Sequence, residues 1–313
     1  MAFAQNSRSG LSYIVESTFG TTPAGDFTAI PQNTNSLNLT KDRVQGNEIQ
    51  PDRMLRVDRH GNRQVGGDIV VDLRDGDLDP FLESAMFGVW DATPVAAPDV
   101  LKTGVTPKYF SIEDAANDIS QFRVFTGMSV SSLAISIAPN QMVAATFSMV
   151  GKNMTISGTG KTVTAASSAQ PFDAYSGDLS IGNVASASSV AIVTSIDFTI
   201  DNALSPTFVV GDDSAPQLEY GMATIEGTFT AYFEDASLIT RFIDEVESEL
   251  IVSVNDPTGA NEYSFQFPRI KINGADVPVD GGTGSRVITL PFVALYDATE
   301  GSNLVISRPD TSA

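Results

Sequence analysis

The chain has no cysteine, one histidine and one tryptophan among 313 residues. Without thiols there is no disulfide framework, thiolate metal site or cysteine nucleophile, so stability rests on packing and hydrogen bonds. The lone imidazole, His60 in RVDRHGNR, has no second His or Cys to complete a metal site or triad, and a solvated loop is its expected setting. Basic residues are scarce too: 18 Lys and Arg against 38 Asp and Glu leave a net charge of −20. That balance argues against gripping nucleic acid by phosphate neutralisation, though not against letting it slide past. No apolar run approaches a membrane span, and the opening MAFAQNSRSGLSYIVESTFG lacks the charged start and apolar stretch of a signal peptide. Synthesis in a cytoplasm is the expectation.

What the chain does have is period-two alternation, punctuated by Gly, Pro, Asn and Asp, which predicts a β protein. In MSVSSLAISIAPNQMVAATFSMVG, Leu133, Ile135 and Ile137 share a face, Pro139 and Asn140 turn the chain, and Val143, Ala145, Phe147 and Met149 line the return strand.

The pattern also repeats. At an offset of 160, Val65, Gly67, Ile69, Val71 and Leu73 correspond to Ile225, Gly227, Phe229, Ala231 and Phe233. Each set then passes into helical spacing: Leu78, Phe81, Leu82 and Ala85 in one case, Leu238, Phe242 and Val246 in the other. Asp77 and Asp235 stand at the expected N-caps. SLNLTKD at Ser36 matches SIDFTID at Ser195, and NMTIS at Asn153 matches NLVIS at Asn303, in the same order. The expected architecture is all-β with short flanking helices, as two tandem domains, 1–157 and 158–313, related by internal duplication. A Gly, Ala, Ser and Thr-rich connector follows Ser157.

The copies diverge between their first two strands. Residues 41–63 hold six basic and four acidic residues, whereas residues 201–221 hold four acidic and none basic. Loops of opposite charge at equivalent places suggest docking between unlike neighbours. Arg53, Arg56, Arg59, Asp212 and Asp213 are the candidate inter-subunit or inter-ring residues. On the strand face opposite the apolar set, Asp68, Asp72, Glu226 and Glu234 read either as an ordinary solvated face or as the acidic lining of a channel.

Motifs that would carry chemistry are incomplete. RDGDLDP alternates Asp75, Asp77 and Asp79 like a calcium loop, but Pro80 occupies the position needing glycine and Met86 the position needing a bidentate Glu. GTGKT at Gly158 ends like a phosphate-binding loop, yet Thr155 replaces its first glycine and no helix pattern follows. DGGTG at Asp280 reads as a hairpin tip. No catalytic residue, metal site or cofactor is expected, and the chain offers nothing positive for an enzyme.

YIVESTFGTTPA, SLNLTKDRVQGNEIQPDR, GNRQVGGDIVVDL with its helix, FTGMSVSSLAISIAPNQMV, PFDAYSG and GTFTAYFEDASLITRFIDE together resemble the tail tube proteins of long, non-contractile-tailed bacteriophages. The resemblance covers nearly the whole chain and rests on the order of the motifs. It implies a β-sandwich or barrel whose copies form rings, with inner strands joined into one barrel and rings stacked into a DNA-conducting tube. If related tubes use six domains per ring, a duplicated chain needs three copies, giving trimeric rings with pseudo-sixfold symmetry. Implied partners are further copies of the chain, a tape measure protein, a tail terminator and a distal tail protein, with genomic DNA passing unbound. The implied place is the virion tail, after synthesis in the bacterial host cytoplasm. A capsid-decoration or other β-sandwich binding module, and a tail-terminus or baseplate relative, stay open as alternatives.

Overall fold

Alternating apolar residues lay down strands along almost the whole chain. A computed structural model describes residues 3–52, 54–93, 98–189, 193–259, 261–279, 281 and 283–309. The first half contributes β1 (Ser9–Glu16), β2 (Phe27–Ala29), β3 (Gln32–Asn35), β4 (Asn38–Gln45), β5 (Asp58–Asp72) and helix α1 (Asp79–Met86). It continues with β6 (Asp99–Lys102), β7 (Tyr109–Ala116), β8 (Gln121–Ile137), β9 (Ala144–Gly151) and β10 (Asn153–Ser157). The second half adds β11 (Val163–Thr164), β12 (Asp173–Asn183), β13 (Ser186–Ser189), β14 (Val193–Asp201), β15 (Ser205–Pro206), β16 (Leu218–Glu219) and β17 (Thr224–Tyr232). Helix α2 (Ser237–Ile243) and strands β18 (Ser248–Asn255), β19 (Glu262–Ile272), β20 (Val287–Ala294) and β21 (Val305–Arg308) complete it.

The organising feature is one sheet that crosses the middle of the chain. Its order is β4, β5, β9, β8, β14, β17, β20 and the end of β19, antiparallel at every step. The pairing scheme is the same in both halves. β4–β5–β9–β8 in the first answers to β14–β17–β20–β19 in the second. β8 carries β7 and β10, and β7 carries β1. Likewise β19 carries β18 and β21, and β18 carries β12. Even the irregularities agree: a register shift between Val130 and Ser132 in the β8–β9 ladder has a counterpart between the Ile272–Phe292 and Asp276–Thr289 pairs.

β8 serves two layers because it bends. Its first part pairs with β7 and β10, its last with β9 and β14, and between them Gly127 takes φ of 66°, a conformation that disfavours side chains. Gly67 is required for another reason. Its φ is 142°, and a Cβ there would lie 2.5 Å from the Ser36 carbonyl oxygen. This glycine lets the link between β3 and β4 approach β5.

Between the layers lies an apolar core. Ile69, Val71, Phe147, Leu133, Ile135, Phe198, Phe229 and Leu290 project into it from the shared sheet, and Phe81 of α1 stacks on Phe110 at 4.6 Å. The expected apolar faces of the Pro139–Asn140 hairpin are all buried, and Asn140 makes the turn at φ of 59°. The helices start one residue later than their spacing suggests. Their N-caps are Leu78 and Ala236, neither with a side-chain capping bond. The Asp77 carboxylate instead accepts the Ser167 N–H at 2.9 Å, and Asp235 accepts the Ser237 N–H at 2.8 Å. Val246 lies beyond α2 and is partly exposed.

Candidate functional site

The face of the shared sheet turned away from the core forms three rows. The first reads Asp72, Ala144, Ser136, Asp197, Thr228, Pro291. The second reads Val70, Thr146, Ala134, Thr199, Glu226, Val293. The third reads Asp68, Ser148, Ser132, Asp201, Thr224. From β5 to β20 the rows hold five carboxylates among small, mostly hydroxylated or apolar side chains, and no Lys or Arg. Strand alternation produces this face, because every second residue must leave the core.

Asp68, Asp72 and Glu226 therefore lie on one surface, as their parity predicts. Asp68 accepts from the Ser148 hydroxyl at 2.7 Å, and Asp72 from the Asn33 amide at 2.7 Å. Glu234 sits two residues past the end of β17, outside the three rows. Asp197 and Asp201 belong to the surface and were not singled out by sequence. Their signal was the alternation in SIDFTID, which gains meaning only once β14 is known to pair with β8. The first cation along the second row is Lys271, opposite Val293 on β19, and Glu245 holds it at 2.7 Å.

Beyond one end of this face lie the two long loops. Arg63, at the base of the first, pairs with Asp213 of the second at 2.7 Å, and its N–H donates to the Asp213 carbonyl. Asp212 is held below the ordinary carboxylate range by bonds from the Ser214 N–H and hydroxyl. The opposite charges of the two loops thus meet within one chain at Arg63. Arg56 pairs with Asp52 of its own loop, Arg59 is exposed, and Arg53 falls outside the described residues. Ile49, Met54 and Leu55 of the same loop are exposed as well. At the far end of the sheet, next to the Pro139 hairpin, a groove of about 720 Å³ is lined by Met142, Tyr175, Leu179 and Val193, among others.

A largely buried polar cluster joins the two halves. Arg308 of β21 reaches Asp79 at the start of α1 and Asp99 of β6, and its guanidinium lies 4.3 Å from the centre of the Trp90 ring. The Tyr263 hydroxyl donates to Asp79 at 2.6 Å. Burial pushes the Asp79 carboxyl above the ordinary range, outweighing Tyr263 and Arg308, and pushes the Tyr263 hydroxyl well above its own. Arg308, Tyr263 and Ser167 take up the Asp79 and Asp77 carboxylates that sequence had set out like a calcium loop. In the GTGKT segment the Lys161 N–H donates to the Glu113 carboxylate at 3.0 Å. Among the described residues no group of three or more His, Asp or Glu is arranged to hold a metal ion.

A β-rich sandwich with two short helices and an acidic sheet face agrees with the resemblance drawn from sequence. A family model for phage tail tube proteins matches residues 6–294. The chain belongs to the phage tail tube protein family. No curated protein matches it. Membership of the tail tube family makes this a structural protein of the virion tail that assembles with itself into a tube. The match begins before β1 and ends with β20, so it embraces both long loops and the whole acidic face.

Proposed function

We propose that the chain is a duplicated tail tube subunit, three copies of which close a ring with pseudo-sixfold symmetry. The element-by-element agreement of the two pairing schemes supports the duplication. Rings stack into a hollow tube, and the face bearing Asp68, Asp72, Asp197, Asp201 and Glu226 lines its channel. The five carboxylates of those rows, set against one cation, Lys271, which Glu245 already holds at the β19 end of the second row, carry this reading. DNA has one negative charge per about 1.7 Å of duplex axis, so a basic wall would hold it through many phosphate contacts, whereas an acidic wall repels it and keeps it mobile. The role is mechanical and non-enzymatic. A tape measure protein would fill the channel before ejection, with a terminator and a distal tail protein at its two ends, as the resemblance implies.

The loop bearing Ile49, Met54, Leu55 and Arg56, with Arg59 just beyond it at the start of β5, lies at one end of the shared sheet and the Met142–Tyr175 groove at the other. In a stack, each loop would enter the groove of the next ring. The experiment is cryo-electron microscopy of tubes grown from purified protein. Three chains per ring with the five carboxylates lining the bore is the expected image. Six chains per ring would overturn the symmetry, and carboxylates on the outer wall would overturn the lining. Reversing the charges of Arg56 and Arg59 should shorten the tubes while leaving the monomer folded. Tubes of normal length would exclude the loop from stacking.

A further inference from the structure

The shared sheet ends in two free edges. On one side β4 has a ladder only to β5 among the described residues; on the other, residues 273–279 run beside β20 and nothing among the described residues pairs with their outer side. The direction of the backbone groups follows from the bonds already made. The Ser36 N–H donates inward to the Asp68 carbonyl, so the N–H and C=O groups of Leu37 and Leu39 point outward. Asp276 and Thr289 exchange both their bonds, at 3.0 and 2.9 Å, so those of Ala275 and Val277 point outward on the opposite edge. Pro278 has the same inward parity as Asp276, so its missing N–H costs the outer edge nothing. Side chains cover what a strand would otherwise bond. Asn38 accepts the Leu39 N–H at 2.9 Å, and Arg286 donates to the Val277 carbonyl at 3.1 Å.

One seam of the required kind already exists inside the chain. β8 and β14 join the halves through Ile135 opposite Phe198, Ala134 opposite Thr199 and Leu133 opposite Ile200. The ladders fix the counterparts of these residues. Matching Val130–Met149 with Ile272–Phe292 puts Leu133, Ala134 and Ile135 on Ala275, Asp276 and Val277. Matching Ile200–Ile225 with Leu39–Val65 puts Phe198, Thr199 and Ile200 on Leu37, Asn38 and Leu39. This match differs by two residues from the alignment of SLNLTKD with SIDFTID, but keeps the same side chains on the core face.

The geometry points to a residue-level register for the contact between copies: β4 of one copy pairs antiparallel with residues 275–277 of the next, Leu37 opposite Val277, Asn38 opposite Asp276 and Leu39 opposite Ala275. This rests on the ring assembly proposed above and assigns the edges and register through which one copy meets the next. Apolar side chains then meet on the core face, as they do in the internal seam, while Asn38 and Asp276 face the channel side.

A chain without cysteine is suited to testing this. Asn38 and Asp276 form a non-hydrogen-bonded pair, the kind with the closest Cα atoms. Asn38→Cys with Asp276→Cys, assembled and then oxidised, should convert most chains to covalent dimers and trimers on a non-reducing gel, with trimer the largest species. Ala134→Cys with Thr199→Cys occupies the equivalent internal positions and should close within one chain. If that control closes and Asn38→Cys/Asp276→Cys tubes stay monomeric on the gel, the seam is wrong. Cross-linking by Thr40→Cys with Asp276→Cys instead would overturn the register. A native-sequence measurement stands beside these: the amides of Leu37, Leu39, Ala275 and Val277 should lose their fast hydrogen exchange on assembly, and unchanged exchange overturns the seam even if the variants fail to fold. Unsubstituted protein that never forms rings or tubes would overturn the ring assembly itself.

Discussion

Helices α1 and α2 follow corresponding strands, yet α1 is buried and α2 is not. Phe81, Leu82, Ala85 and Met86 are each at most 1% exposed, whereas α2 buries Leu238 alone and leaves Ile243 68% exposed. The helical spacing is written in both segments; the surroundings differ. α1 is covered by β6, β8 and β14, and its first turn is fastened by Arg308. α2 packs on β19, and the chain then turns directly into β18 without a counterpart of β6. A local pattern specifies the helix, but only the elements that arrive later determine how much of it is core.

The C-terminal strands sharpen the contrast. β21 is largely buried because β6 pairs along it, and Arg308 closes the junction; β10, its counterpart, stays mostly at the surface. Arg308→Ala would remove the cation that Asp79 and Asp99 share while both carboxylates stay mostly or wholly out of water, a loss of about 3–5 kcal/mol on the scale of broken buried ion pairs. Urea titration of the variant should show a fall in midpoint at least as large as that from truncating a core leucine of either helix. A fall no larger than that of an exposed-pair variant would mean the junction contributes little.

The helices themselves give a matched pair. Leu82→Ala removes a side chain with no exposure from a site walled on all sides and should cost about 2–5 kcal/mol. Leu238→Ala, 6% exposed and beside a solvated helix face, has neighbours free to close the gap and belongs at or below about 2 kcal/mol. Equal losses, measured by the same titration, would show that α2 is as firmly embedded as α1.

Much of this was legible in sequence because it depends on neighbours one or two residues away. The alternation of Ile69, Val71, Phe147 and Leu133 predicted the core face, and with it placed Asp68, Asp72 and Glu226 on the other. Asp197 and Asp201 escaped notice because their membership depends on β8 meeting β14, a pairing between halves that no local period encodes. Glu234 was carried onto the face by extending the period past Tyr232, where the Phe233 N–H still bonds Arg286 but the ladder ends. Nor did the charge contrast of the two long loops reveal that Arg63 satisfies Asp213 within the chain, because opposite charge does not specify which copy supplies the partner.

The smallest effect concerns pH, and it separates the buried junction from the outer surface by sign. Glu247 and Glu245, following α2, are held below the ordinary carboxylate range by hydrogen bonds from Arg269 and Lys271. The folded chain then binds fewer protons than the unfolded one, so their stabilisation is present above the unfolded Glu value of about 4.3 and lost as pH falls through the depressed folded values. Asp79 behaves oppositely. Its raised value means a contribution present below the unfolded Asp value of about 3.9 and lost as pH rises through the folded one. Glu247→Gln should therefore melt slightly below the unsubstituted protein near neutral pH, with the gap closing toward acid and also closing in high salt, because solvent and ions screen exposed pairs. Asp79→Asn shifts its gap from the unsubstituted protein in the other direction, losing ground as the solution is acidified. Melting curves across the acid range that moved both gaps the same way would show that the junction and the surface pairs do not differ as their burial indicates.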